Sequence, residues 1–205
     1  MMTRTRRRRA KLLGVLSIAS LAAGVALVLL PGLWVAGTGL GVGGAQIAAL
    51  AGWDQDGEAA HASPADALVI EIPRLHVRRY VPDGATPDHL RKYGVGRISW
   101  TSWPDRGGLV GIAGHRTTYG APFFWINRLQ PGDSILLDYH GKRYAYDVVR
   151  QVTVLPEQAD VLDGSPLQHE VALVSCTPWY SAAFRLVVFA DLSQVTALAP
   201  GRTAP

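Results

Sequence analysis

The chain has 205 residues, 48% of them hydrophobic and 18% charged, a balance too apolar for a disordered protein and a length too short for a multi-domain enzyme. The formal net charge of +4 points to an anionic partner only until it is located. Arg4, Arg6, Arg7, Arg8, Arg9 and Lys11 carry six positive charges with no acid among them, which leaves residues 12–205 at −2. A folded part that is mildly acidic lacks the basic footprint that nucleic acid requires, so no nucleic-acid partner is expected.

Residues 12–53 run for 42 positions without an Asp, Glu, Lys or Arg. The first 24 of these, residues 12–35, exceed the ~20 needed to cross a hydrocarbon core and the roughly 7–15 of a cleaved signal peptide. Residues 1–11 therefore read as a basic cytoplasmic tail and 12–35 as a single transmembrane helix anchored in the lipid bilayer of the cell membrane. Positive charge stays inside, which puts the rest of the chain on the extracellular side. A helical hairpin broken at Pro31-Gly32 would return the chain to the cytoplasm, but residues 36–52 are glycine-rich and lead into Asp54, Asp56 and Glu58, the wrong flank for a cytoplasmic exit. The glycines between Gly39 and Gly44 match a dinucleotide fingerprint in spacing alone, since no strand precedes them and no βαβ pattern follows.

Residues 36–66 form a juxtamembrane segment and a small, polar, acidic linker. From residue 67 the texture changes to short apolar runs punctuated by Pro and Gly. Strands are expected over residues 68–73, 108–113, 134–139, 142–149, 171–175 and 186–190, with His140-Gly141 as the turn of a hairpin. Only residues 87–93 and 121–129 read as helical. The domain over 67–192 is thus mainly β with short helices, and a closed barrel is expected because so many short strands would otherwise leave open edges. Residues 193–205 read as a disordered tail.

The single cysteine, Cys176, excludes a disulfide within the chain and leaves an inert buried thiol, an intermolecular bridge or a reactive nucleophile. Cys176 ends one apolar strand and Arg185 begins the next. Antiparallel pairing would make them neighbours and set a guanidinium beside a thiol at the barrel mouth. A nearby cation favours the thiolate, and Arg can also donate to an oxyanion. Of the six histidines, His61, His76, His89, His140 and His169 sit in linker, turn or helix contexts with simple solvent readings. His115 differs, because it leaves a buried strand through Gly114 into the turn-rich stretch from Arg116 to Gly120, a usual platform for acid–base work.

The stretches AGHRTTYGAPFF (113–124) and LVSCTP (173–178), with Cys176 61 residues after His115 and Arg185 nine after Cys176, resemble the sortases, cysteine transpeptidases of Gram-positive cell surfaces, and among them class E of actinobacteria. The resemblance implies an eight-stranded sortase-type β-barrel with His115, Cys176 and Arg185 as catalytic triad and neither metal nor organic cofactor. It further implies cleavage of a C-terminal sorting signal, Leu-Ala-x-Thr-Gly or Leu-Pro-x-Thr-Gly, between Thr and Gly on surface proteins. Transfer to an amine of a peptidoglycan precursor follows. Arg116, Thr117, Tyr119 and Ser175 are expected to border the substrate. Tyr119 could accept a hydrogen bond from an Ala N–H at the second signal position, which Pro lacks.

The chain departs from the family pattern at Ser175, where Thr is usual, at Thr177, where His or Asn is frequent, and in the apolar loop 179–184. A pilus-polymerising sortase usually carries an Asp-Pro-aromatic lid, and no such triplet precedes the barrel. An L,D-transpeptidase would carry His and Gly immediately before the Cys, unlike Val174-Ser175. A non-catalytic anchored β-barrel acting as a binding module is the alternative of a different kind, separated by an unreactive thiol.

Overall fold

The structure, a computed structural model, describes residues 67–198. The expected basic tail, membrane anchor and linker lie outside the described residues. Among the described residues no helix is long and apolar enough to cross a membrane.

Eight strands form one sheet: β1 (Val69–Ile72), β2 (Val77–Tyr80), β3 (Val95–Arg97), β4 (Gly108–Gly114), β5 (Ser134–Tyr139), β6 (Lys142–Val154), β7 (His169–Thr177) and β8 (Phe184–Ala197). Their spatial order is β2-β1-β5-β6-β8-β7-β4-β3. The sheet curls into a nearly closed barrel because the chain just past β2 meets β3: Asp83 bridges Arg97, the Gly84 N–H donates to Arg97 O (3.0 Å) and the Arg97 N–H to Pro82 O (2.8 Å). The one α-helix among the described residues, α1 (Pro87–Tyr93), spans the residues expected. The Thr86 hydroxyl caps its start by accepting from the His89 N–H (3.2 Å), and Gly94, at φ 79°, ends it.

The second expected helix, 121–129, is not α-helical. It is a run of i→i+3 bonds, from Phe124 to Ala121, Ile126 to Phe123, Arg128 to Trp125 and Leu129 to Ile126, with a 3-10 turn at Ile126–Arg128. Phe123, Ile126 and Leu129 are spaced by three and all bury completely, a spacing that suits three residues per turn rather than 3.6. Two strands were not visible in the sequence. β2 (VRRY) and β3 (VGR) are short and charged because they are the two edges of the sheet, where apolar alternation is disfavoured.

The strands β6 and β8 outrun their expected limits, and pair from Lys142↔Ala197 to Val154↔Arg185 with irregularities at Ala145/Tyr146 and Val148/Arg150 that let such long strands bend around the barrel. The domain boundary expected at residue 192 therefore falls inside β8. The hairpin turn at His140-Gly141 forms as expected, both residues having positive φ (48° and 68°).

Side-chain alternation divides the core in two. Val110 and Ile112 of β4, Val171 and Leu173 of β7, and Leu186, Val188 and Ala190 of β8 point into the barrel with Ile70, Ile135, Leu137 and Tyr146. The alternate residues Leu109, Ala172, Val187 and Phe189 face outward, where Leu162 covers them together with Val161. The covering residues come from the 3-10 turn Ala159–Leu162 in the β6–β7 connection. This outward face carries the site described below.

Arg97 holds the barrel seam. Its side chain is buried, its Nε and Nη2 donate to Asp83 Oδ1 (3.0 and 2.6 Å), and its other donors reach the carbonyls of Ile98, Ser99, Thr101 and Ser102. The guanidinium also lies 4.2 Å from the Trp103 ring, which stacks on Tyr139. A flat fork with five donors fits this carbonyl cage, and an ammonium does not. Arg97→Met should cost about 3 kcal/mol in urea unfolding, through orphaned carbonyls, and Arg97→Lys should recover only part of it. An unchanged denaturation midpoint in Arg97→Met would remove the seam from the account of stability.

Candidate active site

Strand β7 lies between β4, with which it runs parallel, and β8, with which it runs antiparallel. A parallel neighbour ends where β7 ends, and an antiparallel neighbour begins there. Cys176, near the end of β7, is the direct register partner of Arg185 on β8, so their side chains share one face of the sheet. On the other side the register Ala113↔Val174 continued by two residues brings His115 level with Cys176. The parity of Ala172, Val174 and Cys176 is that of the outward cluster. The three residues therefore converge on the outer face of the barrel at the strand ends, not in its mouth as expected.

His115 is held by backbone on both sides: its N–H donates to Gly94 O (2.9 Å), and its carbonyl accepts from the Phe123 N–H (3.1 Å). Gly114 makes this possible, since a Cβ there would lie 2.5 Å from the Phe123 ring. The imidazole Nδ1 is 3.3 Å from the Thr118 hydroxyl, and the ring packs against Tyr119 at 4.9 Å. Nε2 is buried without a hydrogen-bond partner. Burial disfavours the imidazolium and pulls the His115 pKa below its ordinary value. At neutral pH the ring is neutral, with a desolvated nitrogen ready to take a proton.

The two arginines are held differently. Arg185 is half-buried and its Nη1 donates to the carbonyls of its own loop, Ala182 (3.0 Å) and Phe184 (3.1 Å). Arg116 is buried, and its Nη1 donates to the carbonyl of Cys176 (3.2 Å). Ser175 does not border the site: it is buried on the inner face, where its hydroxyl donates to Gly114 O (2.8 Å) and ties the end of β7 to the end of β4. Tyr119, at φ 51°, and Thr117 are half-buried in the loop beyond His115.

Two features escaped the sequence reading. One is Thr118, a hydroxyl three residues beyond the histidine. The other is an aromatic shelf in which Trp179 stacks on Phe124 (5.1 Å) and meets Trp125 edge-on (5.3 Å). The apolar texture of the 179–184 loop was its only signal. Among the described residues no cluster of His, Cys, Asp or Glu could hold a metal ion. A separate cavity of about 390 Å³ opens at the far end of β4, beside Gly108 and Gly164, away from all of these groups.

The Sortase domain family matches residues 70–193. Sortase SrtE1 of Streptomyces coelicolor is 31% identical over 138 residues, which cover 60% of this chain and 39% of that protein. Sortase D of Bacillus subtilis is 26% identical over 111 residues, 54% of each chain. The chain thus spans well under two thirds of the length of these curated relatives. A crystal structure of Sortase E1 from Streptomyces coelicolor with a tripeptide in the active site superposes with a TM-score of 0.62 at 26% identity, over 69% of this chain and 96% of that one.

The depressed His115 pKa fixes the sign of a pH effect. The unfolded chain takes up the proton near pH ~6.5, before the folded one does, so the stability associated with His115 is complete above that value and is lost as pH falls toward the folded pKa. Between pH 7.5 and 5 the native chain should lose more stability in urea unfolding than His115→Asn. Equal losses would show that burial leaves this imidazole unperturbed.

Proposed function

The chain belongs to the sortase family, and we propose that it is a membrane-anchored cysteine transpeptidase acting on C-terminal sorting signals. The observation that carries the reading is the convergence of His115, Cys176 and Arg185 on one outward face, through the two neighbours of β7. The homology to sortases of class E supports the same reaction class.

In this reading the neutral His115 ring accepts the proton of Cys176 as Sγ attacks the Thr carbonyl carbon of the signal. The carbonyl oxygen becomes an oxyanion, to which Arg185 donates. Collapse breaks the Thr–Gly bond, and the His115 imidazolium returns its proton to the departing Gly amine, leaving a thioester on Cys176. An amine of a peptidoglycan precursor then attacks the thioester carbonyl, loses its proton to His115 and displaces Cys176. One difficult acyl transfer becomes two easier ones, using side chains of this chain only. Placement of Arg185 against loop carbonyls, rather than in an ion pair, leaves its remaining donors for substrate.

The anchor at residues 12–35 would hold the domain outside the cell, close to both reactants. Its support is the six-charge N-terminus followed by 24 uncharged apolar or small residues, and protease shaving of intact cells would read the orientation.

The test uses the full chain in detergent with Leu-Ala-x-Thr-Gly and Leu-Pro-x-Thr-Gly peptides and an amine acceptor, and follows thioester and product by mass spectrometry. Cys176→Ala should form neither. Arg185→Ala should fold and lose roughly 10²–10³-fold in rate, as expected for an oxyanion donor, with His115→Ala similarly impaired. Product from Cys176→Ala, or full activity of His115→Ala, would overturn the assignment.

Tyr119, set against the His115 ring, should favour the Ala signal by several-fold to about tenfold in kcat/KM, the worth of one hydrogen bond. Tyr119→Phe should narrow that ratio by slowing the Ala peptide. An unchanged ratio would clear Tyr119 of the role.

A further inference from the structure

Among the described residues, the surroundings of the buried cation Arg116 offer carbonyls and an amide but no carboxylate. The residue is 6% exposed. Nη1 donates to Cys176 O (3.2 Å), Nη2 to Asn127 Oδ1 (2.9 Å) and Nε to Phe124 O (3.4 Å), while the guanidinium lies 5.7 Å from the Trp179 ring. Trp179 is itself fixed, donating Nε1 to Phe124 O (3.2 Å) and stacking on the Phe124 ring. Every contact is to a neutral group. A guanidinium removed from water without an anion is expensive, and proteins rarely leave one so.

The anion available is the thiolate of the residue whose carbonyl Arg116 already holds. We propose that Arg116 is a positioning residue which pins the backbone of Cys176 and supplies the fixed positive charge that favours its thiolate, leaving Arg185 to meet the substrate. Two physical arguments support this division. Burial pulls the Arg116 pKa below its ordinary value, and an anion on the residue whose carbonyl it holds would oppose that shift. A cation held by three hydrogen bonds in a desolvated setting also acts more strongly on a near neighbour than a half-exposed one tied to its own loop. Arg116 has little surface to offer a substrate, so its effect passes through Cys176 and not through contact with the sorting signal.

The proposal rests on the acyl-transfer reading only for its kinetic consequence, because thiolate chemistry can be read without any substrate. Among the described residues, the titratable and charged groups placed beside Cys176 are His115 from the end of β4, Arg116 from the loop beyond it and Arg185 from β8. His115, with its depressed pKa, is already neutral over the range in which a thiol titrates.

The experiment is the pH dependence of iodoacetamide alkylation of the full chain, whose one cysteine makes the added mass unambiguous. Arg116→Gln keeps a donor for the Cys176 carbonyl without the charge, Arg116→Met removes both, and Arg116→Lys keeps the charge. Gln and Met should each raise the alkylation midpoint by about one pH unit, which slows the reaction roughly tenfold below the midpoint, whereas Lys should stay near the native value. Arg185→Met should move it less than Arg116→Met. The Gln variant carries the test should the Met variant fail to fold.

Native midpoints in both neutral variants would overturn the proposal. So would a Lys midpoint that follows Gln and Met, since a purely structural role would then suffice. An Arg116-dependent midpoint in a chain that forms no transpeptidation product would leave the proposal standing and remove the proposed function instead.

Discussion

The site depends on the position of β7 between a parallel and an antiparallel neighbour. Without the parallel pairing to β4, His115 would emerge at the opposite end of the barrel from Cys176. Without the antiparallel hairpin to β8, Arg185 would lie a whole strand away. Residues 61 and nine positions apart in sequence from Cys176 are brought beside it by two kinds of ladder that share one strand. The parallel pair is also the costlier to form, because the two strands must close a loop that contains β5 and β6. Formation of the site is therefore a late consequence of assembling the whole barrel rather than a local property of any loop.

Burial on two faces keeps that register from slipping. Shifting β7 by one residue would exchange Leu173, wholly buried inside, with the outward Val174, and would turn Cys176 into the interior. The inner cluster penalises the exchange on one side. The outer cluster, capped by Leu162, penalises it on the other. At the open end the same function falls to polar contacts, with the Ser175 hydroxyl on Gly114 O and Arg116 on Cys176 O both tying β7 to the chain leaving β4. The bridge from Asp83 to Arg97 brings the far edge of the sheet to the other and leaves the barrel nearly closed, so β3 and β4 present a fixed wall.

The sequence showed the parts of this structure whose signals are local. The helix between Thr86 and Gly94 was legible because a capping hydroxyl, a proline at its first turn and a left-handed glycine at its end leave little choice. The His140-Gly141 hairpin and the central strands were legible for similar reasons, as was the adjacency of Cys176 and Arg185. Edge strands β2 and β3 were hidden because edges are selected against the apolar alternation that reveals strands. The extensions of β6 and β8 were hidden because their apolar residues, Val152, Val154 and Leu192, are only partly buried and alternate with polar ones. The turn 121–129 misled because a spacing of three between Phe123, Ile126 and Leu129 falls within the helical pattern until tertiary burial chooses between the two turns. At the site, no local rule says which face of a strand Ser175 occupies or that Arg116 folds back beneath Cys176, since both depend on contacts to residues about 60 positions away.

The electrostatics of the site follow from what is missing as much as from what is present. Among the groups facing Cys176 there are two guanidiniums and one imidazole, and no carboxylate pairs with either arginine among the described residues. A carboxylate beside His115 would stabilise the imidazolium and resist release of its proton, and one beside Arg116 would spend the charge that the thiolate can use. Burial has the opposite effect on His115, holding the ring neutral so that any proton it accepts is held weakly. A desolvated histidine, a buried cation on the Cys176 carbonyl and a more exposed cation across the strand form a set that contains no negative charge of its own. That is the arrangement expected where a thiolate and then an oxyanion are the species to be stabilised.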